Sequence, residues 1–242
     1  MPRCYVVLPN DSAFHAALGS LTEPFGKIVV RVPKRCMHYW RDNSFQVLAE
    51  AANYASAVPA WAEYGRFCEL LEKGLRKDAF KHLASFIEDA AEWPFAEKRK
   101  FVSWLYHFAG EREDSFLLMP QPLHKGLLEP ALSEWVEREP KSGEPHRWLG
   151  THEHLKKAVG LDPADEIARE RLVNLVFGWV GYSTHELPNG YIGDPEEDLQ
   201  ILAEVEPIIS GISDEAKRAD YRGALSELRE EIRTYLRGRA ET

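Results

Sequence analysis

Apolar residues recur at intervals of three and four positions along most of the chain beyond residue 43, and this spacing is typical of amphipathic α-helices. Pro94, Pro140 and Pro188 interrupt the pattern. The clearest apolar segments are residues 64–75, 80–91, 101–109, 128–136, 168–179 and 221–236. Because helices joined by short connections pack as antiparallel neighbours, the pattern predicts a series of helical hairpins.

The apolar positions within a segment predict which face of each helix is buried. In the second segment, the residues at helical spacing, and therefore predicted to face the core, are Phe80, Leu83, Ala84, Ile87 and Ala91.

Helix starts are predicted where Asp or Ser, whose side-chain oxygen can accept a hydrogen bond from a backbone N–H of the first turn, stands just before a helical segment. Asp162 and Asp194 each stand directly before a proline, a residue favoured in the first helical turn. Ser213 is the predicted cap of the last helix.

Residues 1–42 are the part of the chain with a β pattern. Residues 4–8 and 27–32 are rich in Val, Ile and Tyr, and a short helical pattern over residues 11–18 separates them. The predicted fold class is therefore mainly α: stacked antiparallel helical hairpins over residues 43–242, as a superhelix or an irregular bundle. A small N-terminal β or βαβ element, residues 1–42, is predicted to pack on this body.

Two stretches carry small and large residues at the spacing by which one helix packs on another. In the first, Gly74 stands at a turn, and Ala79 and Leu83 follow it. The second consists of Leu155, Ala158 and the sequence Leu161-Asp162-Pro163. These residues resemble parts of tetratricopeptide repeats, whose units of about 34 residues stack as helix–turn–helix hairpins. The resemblance implies a scaffold of degenerate helical-hairpin repeats that binds proteins and has no catalytic residues.

Charge is distributed unevenly along the chain. The formal net charge is −9, and residues 111–242 alone carry −11. An acidic surface does not attract nucleic acid or anionic membranes, so neither is an expected partner. No apolar stretch approaches the roughly 20 residues that span a bilayer, and no secretory signal is evident. We therefore expect a soluble, cytoplasmic protein.

The most unusual stretch is residues 178–194, where an apolar helix turns into a loop of aromatic, polar and glycine residues. Its hydrogen-bonding side chains stand beside a hydrophobic wall, so it is the predicted binding site. The candidate binding residues are Trp179, Tyr182, His185, Glu186, Tyr191 and Asp194. The structural alternative is that Gly178 and Gly181 allow close helix packing and that residues 188–193 form a loop folded onto the body.

Histidines also cluster near residue 150, where His146, His152 and His154 accompany Glu153. Zinc-protease helices place two histidines four positions apart, whereas His152 and His154 are two apart and therefore lie on different helical faces. Phosphate-binding glycine loops and nucleophile elbows are absent from the sequence. No metal and no cofactor is therefore predicted.

Three functions from different classes are compatible with these patterns. The leading hypothesis is a cytoplasmic adaptor that holds a protein or peptide in a groove between helical hairpins, without catalysis. The second is an acidic immunity-type protein that neutralises a basic toxin, because the charge of residues 111–242 would steer a basic target. The third is a metal-dependent helical enzyme built around His185, Glu186 and Tyr191.

Overall fold

The computed structural model describes residues 42–112 and 114–240. The predicted N-terminal β element lies, apart from residue 42, outside these residues. Every regular element in the described part is helical and no strand occurs there, which confirms the mainly α prediction for this part of the chain. None of the helices found there has both the length and the apolar character that crossing a bilayer demands.

The first half of the described chain contains five α-helices. They are α1 (Asp42–Ser56), α2 (Ala62–Glu72), α3 (Arg76–Ala91), α4 (Phe95–Gly110) and α5 (Glu129–Arg138). Short 3-10 helices span Pro59–Trp61 and Ser115–Leu118, and a helical turn (Gln121–Leu123) followed by a π-helical stretch (His124–Leu128) leads directly into α5. Helix α1 packs on α2 and α2 on α3, so successive helices form hairpins.

The second half contains five more. They are α6 (Glu144–Leu149), α7 (His152–Leu161), α8 (Glu166–Thr184), α9 (Pro195–Ser210) and α10 (Glu215–Ala240). Helix α8 is the centre of this half, because α7, α9 and α10 all pack against it.

An aromatic core holds the first half together. The rings of Trp61 and Trp104 stack with centroids 5.0 Å apart, and Tyr64 meets Phe101 edge to face at 5.1 Å. The Tyr64 hydroxyl donates a hydrogen bond of 2.9 Å to the carbonyl of Leu118. Burying each such ring contributes on the order of 2 kcal/mol, so these contacts fix α2, α4 and the second 3-10 helix together.

Helix α3 buries a face next to the predicted one. Its buried residues are Ala79, Leu83, Phe86 and Ala90, whereas Phe80 and Ile87 are half-buried and Ala84 and Ala91 are exposed. Two apolar stripes run along this helix and share Leu83. Phe80 and Ile87 of the predicted stripe pack against the edge of the first core, while Phe86 is fully buried in it.

A second apolar core lies between α7, α8, α9 and α10. Its buried residues are Leu155, Leu172, Val173, Leu175, Val176, Val180, Leu202, Val205, Ile209, Leu225 and Ile232. The first core ends along the chain at Trp148, which lies in α6. The two cores therefore meet at α6 and α7, and this boundary contains three of the five buried polar side chains in the described ranges: His146, Arg147 and Asp165.

Helix caps confirm one prediction and correct two. Asp194 accepts hydrogen bonds from the backbone N–H groups of Glu196 (2.8 Å) and Glu197 (3.2 Å) and so caps α9, as predicted. Asp162 instead closes a turn ahead of α8, and the cap of that helix is Asp165.

The last helix is capped one residue later than predicted. Asp214 accepts from the N–H of Lys217, whereas the Ser213 hydroxyl donates to the carboxylate of Glu166. A capping residue must stand at a fixed distance from the first N–H groups of its helix, and sequence alone places a helix start only to within a few residues.

Candidate functional site

The C-terminal half of α8 carries two large aromatic side chains that are exposed. Trp179 is 39% exposed and Tyr182 is 49% exposed, and the two residues lie one helical turn apart. Val176 and Val180, which point into the second core, are fully buried. Helix α8 therefore buries one side completely and presents aromatic rings on the other.

Neighbouring side chains extend this aromatic strip. The ring of His152, in α7, lies 5.3 Å from the ring of Trp179, and the ring of His185 stacks on Tyr182 at 5.0 Å. The backbone N–H of Ile192 donates to the carbonyl of Ser183 (3.0 Å), which folds the loop after α8 back onto the end of the helix. We call His152, Trp179, Tyr182, His185 and Ile192 the α8 aromatic surface.

Glu186 borders this surface, because its Oε1 lies 3.0 Å from Nε2 of His185. The structure thus brings together four of the six predicted binding residues in one surface region. These four are Trp179, Tyr182, His185 and Glu186.

The other two predicted residues have structural roles in this arrangement. The Tyr191 hydroxyl donates a 2.6 Å hydrogen bond to the carboxylate of Asp198, and its ring stacks on Tyr235 of α10. Burial raises the pKa of Tyr191, and the hydrogen bond to Asp198 raises it further. Asp194 is the cap of α9. Tyr191 therefore fastens the loop to α9 and α10, whereas His185 and Glu186 contact each other.

Of the two glycines singled out in this stretch, Gly181 is buried and Gly178 is exposed. A Cβ at Gly178 would meet no described atom within 4 Å. The predicted role in close packing therefore does not hold for Gly178.

A network of buried charge lies at the boundary of the two cores. Arg147, in α6, donates a 2.7 Å hydrogen bond from Nη1 to Asp165, and both side chains are nearly inaccessible to solvent. Glu144 accepts hydrogen bonds from Ser103 (2.7 Å) and from the indole of Trp148 (3.3 Å). Burying a charge is costly unless a partner of opposite charge lies close to it in good geometry. The pair of Arg147 and Asp165 therefore favours one position of α6 against the start of α8.

The same boundary contains a pair of facing histidines. Nδ1 of His146 lies 2.6 Å from Nδ1 of His154, and the side chain of His146 is buried. Burial, with smaller contributions from the charges of Lys157 and His154, lowers the pKa of His146 to about 4. Burial also lowers the pKa of His154. Both rings are therefore neutral near pH 7, when one Nδ1–H can donate to the other nitrogen.

His152 and His154 diverge as the sequence predicts, since the first contacts Trp179 and the second contacts His146. Among the residues that the structure describes, no group of three or more His, Cys, Asp or Glu side chains is arranged to hold a metal ion.

Trp148 lies at the boundary between the two cores and contacts several of the side chains that pack there. Tyr106 stacks on its ring at 5.0 Å, and the guanidinium carbons of Arg147 and Arg171 lie 4.2 Å and 5.5 Å from its ring centre. Burial raises the pKa of the Tyr106 hydroxyl to about 12. These contacts are spread over α4, α6 and α8, so nothing in the local sequence indicates them.

An open groove of about 480 Å³ lies elsewhere, on the first half of the chain. It is lined by Phe95, Ala96, Arg99, Lys100, Ser103 and Glu139. The guanidinium of Arg99 is engaged by the Glu139 carboxylate at 2.5 Å and by the Trp135 ring at 4.8 Å. The most prominent charge in this groove is therefore already satisfied within the protein.

Comparison with known proteins gives no family for this arrangement. No protein-family model matches the chain, and no significant match is found among curated proteins or solved structures. Packed helical hairpins are what the structure supports, and the resemblance to tetratricopeptide repeats stays a prediction.

Proposed function

We propose that this chain is a protein-binding module and that its partner docks on the α8 aromatic surface. The observation that supports the proposal is the exposure of Trp179 and Tyr182 side by side on the central helix of the second core. Aromatic side chains contribute most of the affinity in many protein interfaces, because they bury a large area and lose little conformational entropy.

The rigidity of the α8 aromatic surface favours the same function. Val176 and Val180 on the opposite side of the helix are buried in the second core. The backbone N–H of Ile192 in the following loop donates a hydrogen bond to the carbonyl of Ser183. Side chains that are held in place before binding lose less entropy when a partner arrives. The open groove near Arg99 is a weaker candidate, because the Glu139 carboxylate already occupies its guanidinium.

Site-specific photo-cross-linking tests this proposal. A photoreactive phenylalanine analogue at position 182 is expected to cross-link a discrete partner in an extract of the source organism. The additional substitution Trp179→Ala is expected to abolish that product, because it removes the neighbouring ring.

Phe116 provides the matched control, since it is 57% exposed and belongs to the other half of the chain. The same photoreactive residue at position 116 is expected not to give the product. Identical products from both positions, or a product from position 182 that survives Trp179→Ala, would contradict the proposal.

A further inference from the structure

The chain from the middle of α8 to the start of α10 lacks lysine and arginine. Residues 172–216 contain nine Asp and Glu and not a single Lys or Arg. This stretch covers most of α8, the loop after it, all of α9 and the start of α10. Its charge can be balanced only by residues from elsewhere in the chain or by a partner.

Helix α9 carries an acidic side chain, Glu204, close to the α8 aromatic surface. Glu197 and Glu204 lie seven positions apart, two turns along the same face of that helix. Glu204 accepts a 2.8 Å hydrogen bond from Lys156 of α7, and its charge acts on His152, the residue in contact with Trp179. Glu204 of α9 therefore lies near His152, at the edge of the α8 aromatic surface, with Lys156 beside it.

Among the described residues, two acidic groups of this stretch form ion pairs with Lys or Arg. Lys156 pairs with Glu204 and Arg229 pairs with Glu206 at 2.8 Å. Glu196 and Glu197 are exposed, and within the described ranges no basic side chain lies within ion-pair distance of either. Net negative charge thus remains on this stretch, and the exposed carboxylate of Glu186 lies at the border of the α8 aromatic surface.

We infer that the segment bound by the α8 aromatic surface is cationic, rich in Arg and Lys, a conclusion that rests on the proposed docking function. Arginine suits both features of the surface, because its planar guanidinium stacks on aromatic rings and pairs with carboxylates. An acidic or neutral segment could use the rings but not the charge. A basic protein partner is also the second functional hypothesis that the sequence supports.

Selection from a random-sequence library of displayed peptides, about twelve residues long, tests the inference with ligands of every charge. The full-length protein and its Trp179→Ala/Tyr182→Ala variant are used as parallel targets. Peptides selected by the unaltered protein are expected to be enriched in Arg and Lys, depleted in Asp and Glu, and absent from the variant's selection.

Two other outcomes separate the inference from the function on which it rests. Peptides that depend on Trp179 and Tyr182 but show no basic enrichment would overturn the inference and leave the docking function standing. Selections that are the same for both targets would overturn both.

A charge-matched comparison then measures the electrostatic contribution with one selected peptide. Glu196→Gln/Glu197→Gln is expected to weaken its binding by about threefold to tenfold. Glu88→Gln/Glu137→Gln removes the same charge from exposed positions in α3 and α5 and is expected to change affinity less than twofold or so. Equal effects of the two variants would overturn the inference. Circular dichroism and thermal unfolding of both variants check that the helix content and stability of the protein are retained.

Discussion

His146 and His154 face each other through their Nδ1 atoms at 2.6 Å, across the boundary where the two apolar cores meet. Only one proton fits between two nitrogens at this distance, so the contact exists only while at least one ring is neutral. Lys157 lies close enough to both rings to disfavour protonation further, and Glu153 partly opposes it at His154.

Stability is therefore expected to fall with acidification. The pKa of His146 is about 4 in the folded protein, against an ordinary value of 6.5, so folding favours the neutral ring. The resulting stabilisation is complete above pH 6.5 and is lost as the pH falls to about 4. The expected loss is about 3 kcal/mol in the free energy of unfolding, measured by urea denaturation across this range.

Substitution of the buried ring identifies the source of this loss. His146→Gln is expected to flatten the pH dependence between pH 6.5 and pH 4, whatever its effect at neutral pH. His185→Gln, which removes an exposed histidine, is expected to keep the original slope. A slope that His146→Gln leaves unchanged would assign the acid sensitivity to other groups.

Two helix-capping aspartates are predicted to differ sharply in importance. Asp165 caps α8 and also receives Arg147 in a buried ion pair, whereas Asp194 caps α9 from an exposed position. Asp165→Asn keeps the capping oxygen but leaves the Arg147 charge buried without its carboxylate. We expect it to cost about 3 kcal/mol, and Asp194→Asn to cost less than about 1 kcal/mol. Equal losses of stability for the two variants, measured by thermal unfolding, would contradict a stabilising ion pair between Arg147 and Asp165.

The face that α3 buries can be checked with two adjacent alanines. Ala90 is fully buried and Ala91 is exposed, although the apolar spacing predicts Ala91 for the core. Ala90→Leu is expected to destabilise the protein by about 1–3 kcal/mol, because a close-packed core has no room for three more carbons. Ala91→Leu is expected to change stability by less than about 0.5 kcal/mol. The reverse order in chemical denaturation would restore the original register.

Tyr191 is predicted to matter for stability rather than for binding. Its hydroxyl donates to the Asp198 carboxylate at 2.6 Å, so Tyr191→Phe is expected to cost about 1–2 kcal/mol. Tyr54→Phe is the control, because Tyr54 is exposed and its contacts in the described part are ring contacts with Trp61 and Trp104. Binding of a selected peptide should be unaffected by Tyr191→Phe. A tenfold or larger loss of binding with unchanged stability would return Tyr191 to the site.

The helices were predictable because the apolar period is a local property of the chain. The buried positions Phe101, Val102 and Leu105 lie where their spacing predicts, and Asp194 caps its helix as its position before a proline predicts. The register of α3 could not be predicted, because both of its stripes carry large apolar residues, and only packing against neighbouring helices decides that Phe86 is fully buried while Phe80 and Ile87 lie at the edge. The caps at Asp165 and Asp214 were missed because helix starts are poorly determined by sequence.

The candidate site was predictable only in part. The exposed aromatic residues of α8 could be singled out because Trp179 and Tyr182 precede a loop rich in polar residues and glycines. The absence of Lys and Arg from residues 172–216 can also be read from the sequence. The position of Glu204 near His152 and Trp179 cannot. The pairing of Arg147 with Asp165 depends on how α6 meets α8, and no local pattern encodes that meeting.

The buried ion pair has a consequence for how the molecule comes apart. Arg147 belongs to the helix that ends the first core, and Asp165 caps the helix that organises the second. Unfolding either half alone would break this ion pair and expose the apolar side chains packed around it to water. The two halves are therefore expected to melt as a single cooperative unit, with one calorimetric transition. The Asp165→Asn variant, in which this coupling is lost, is expected to show two.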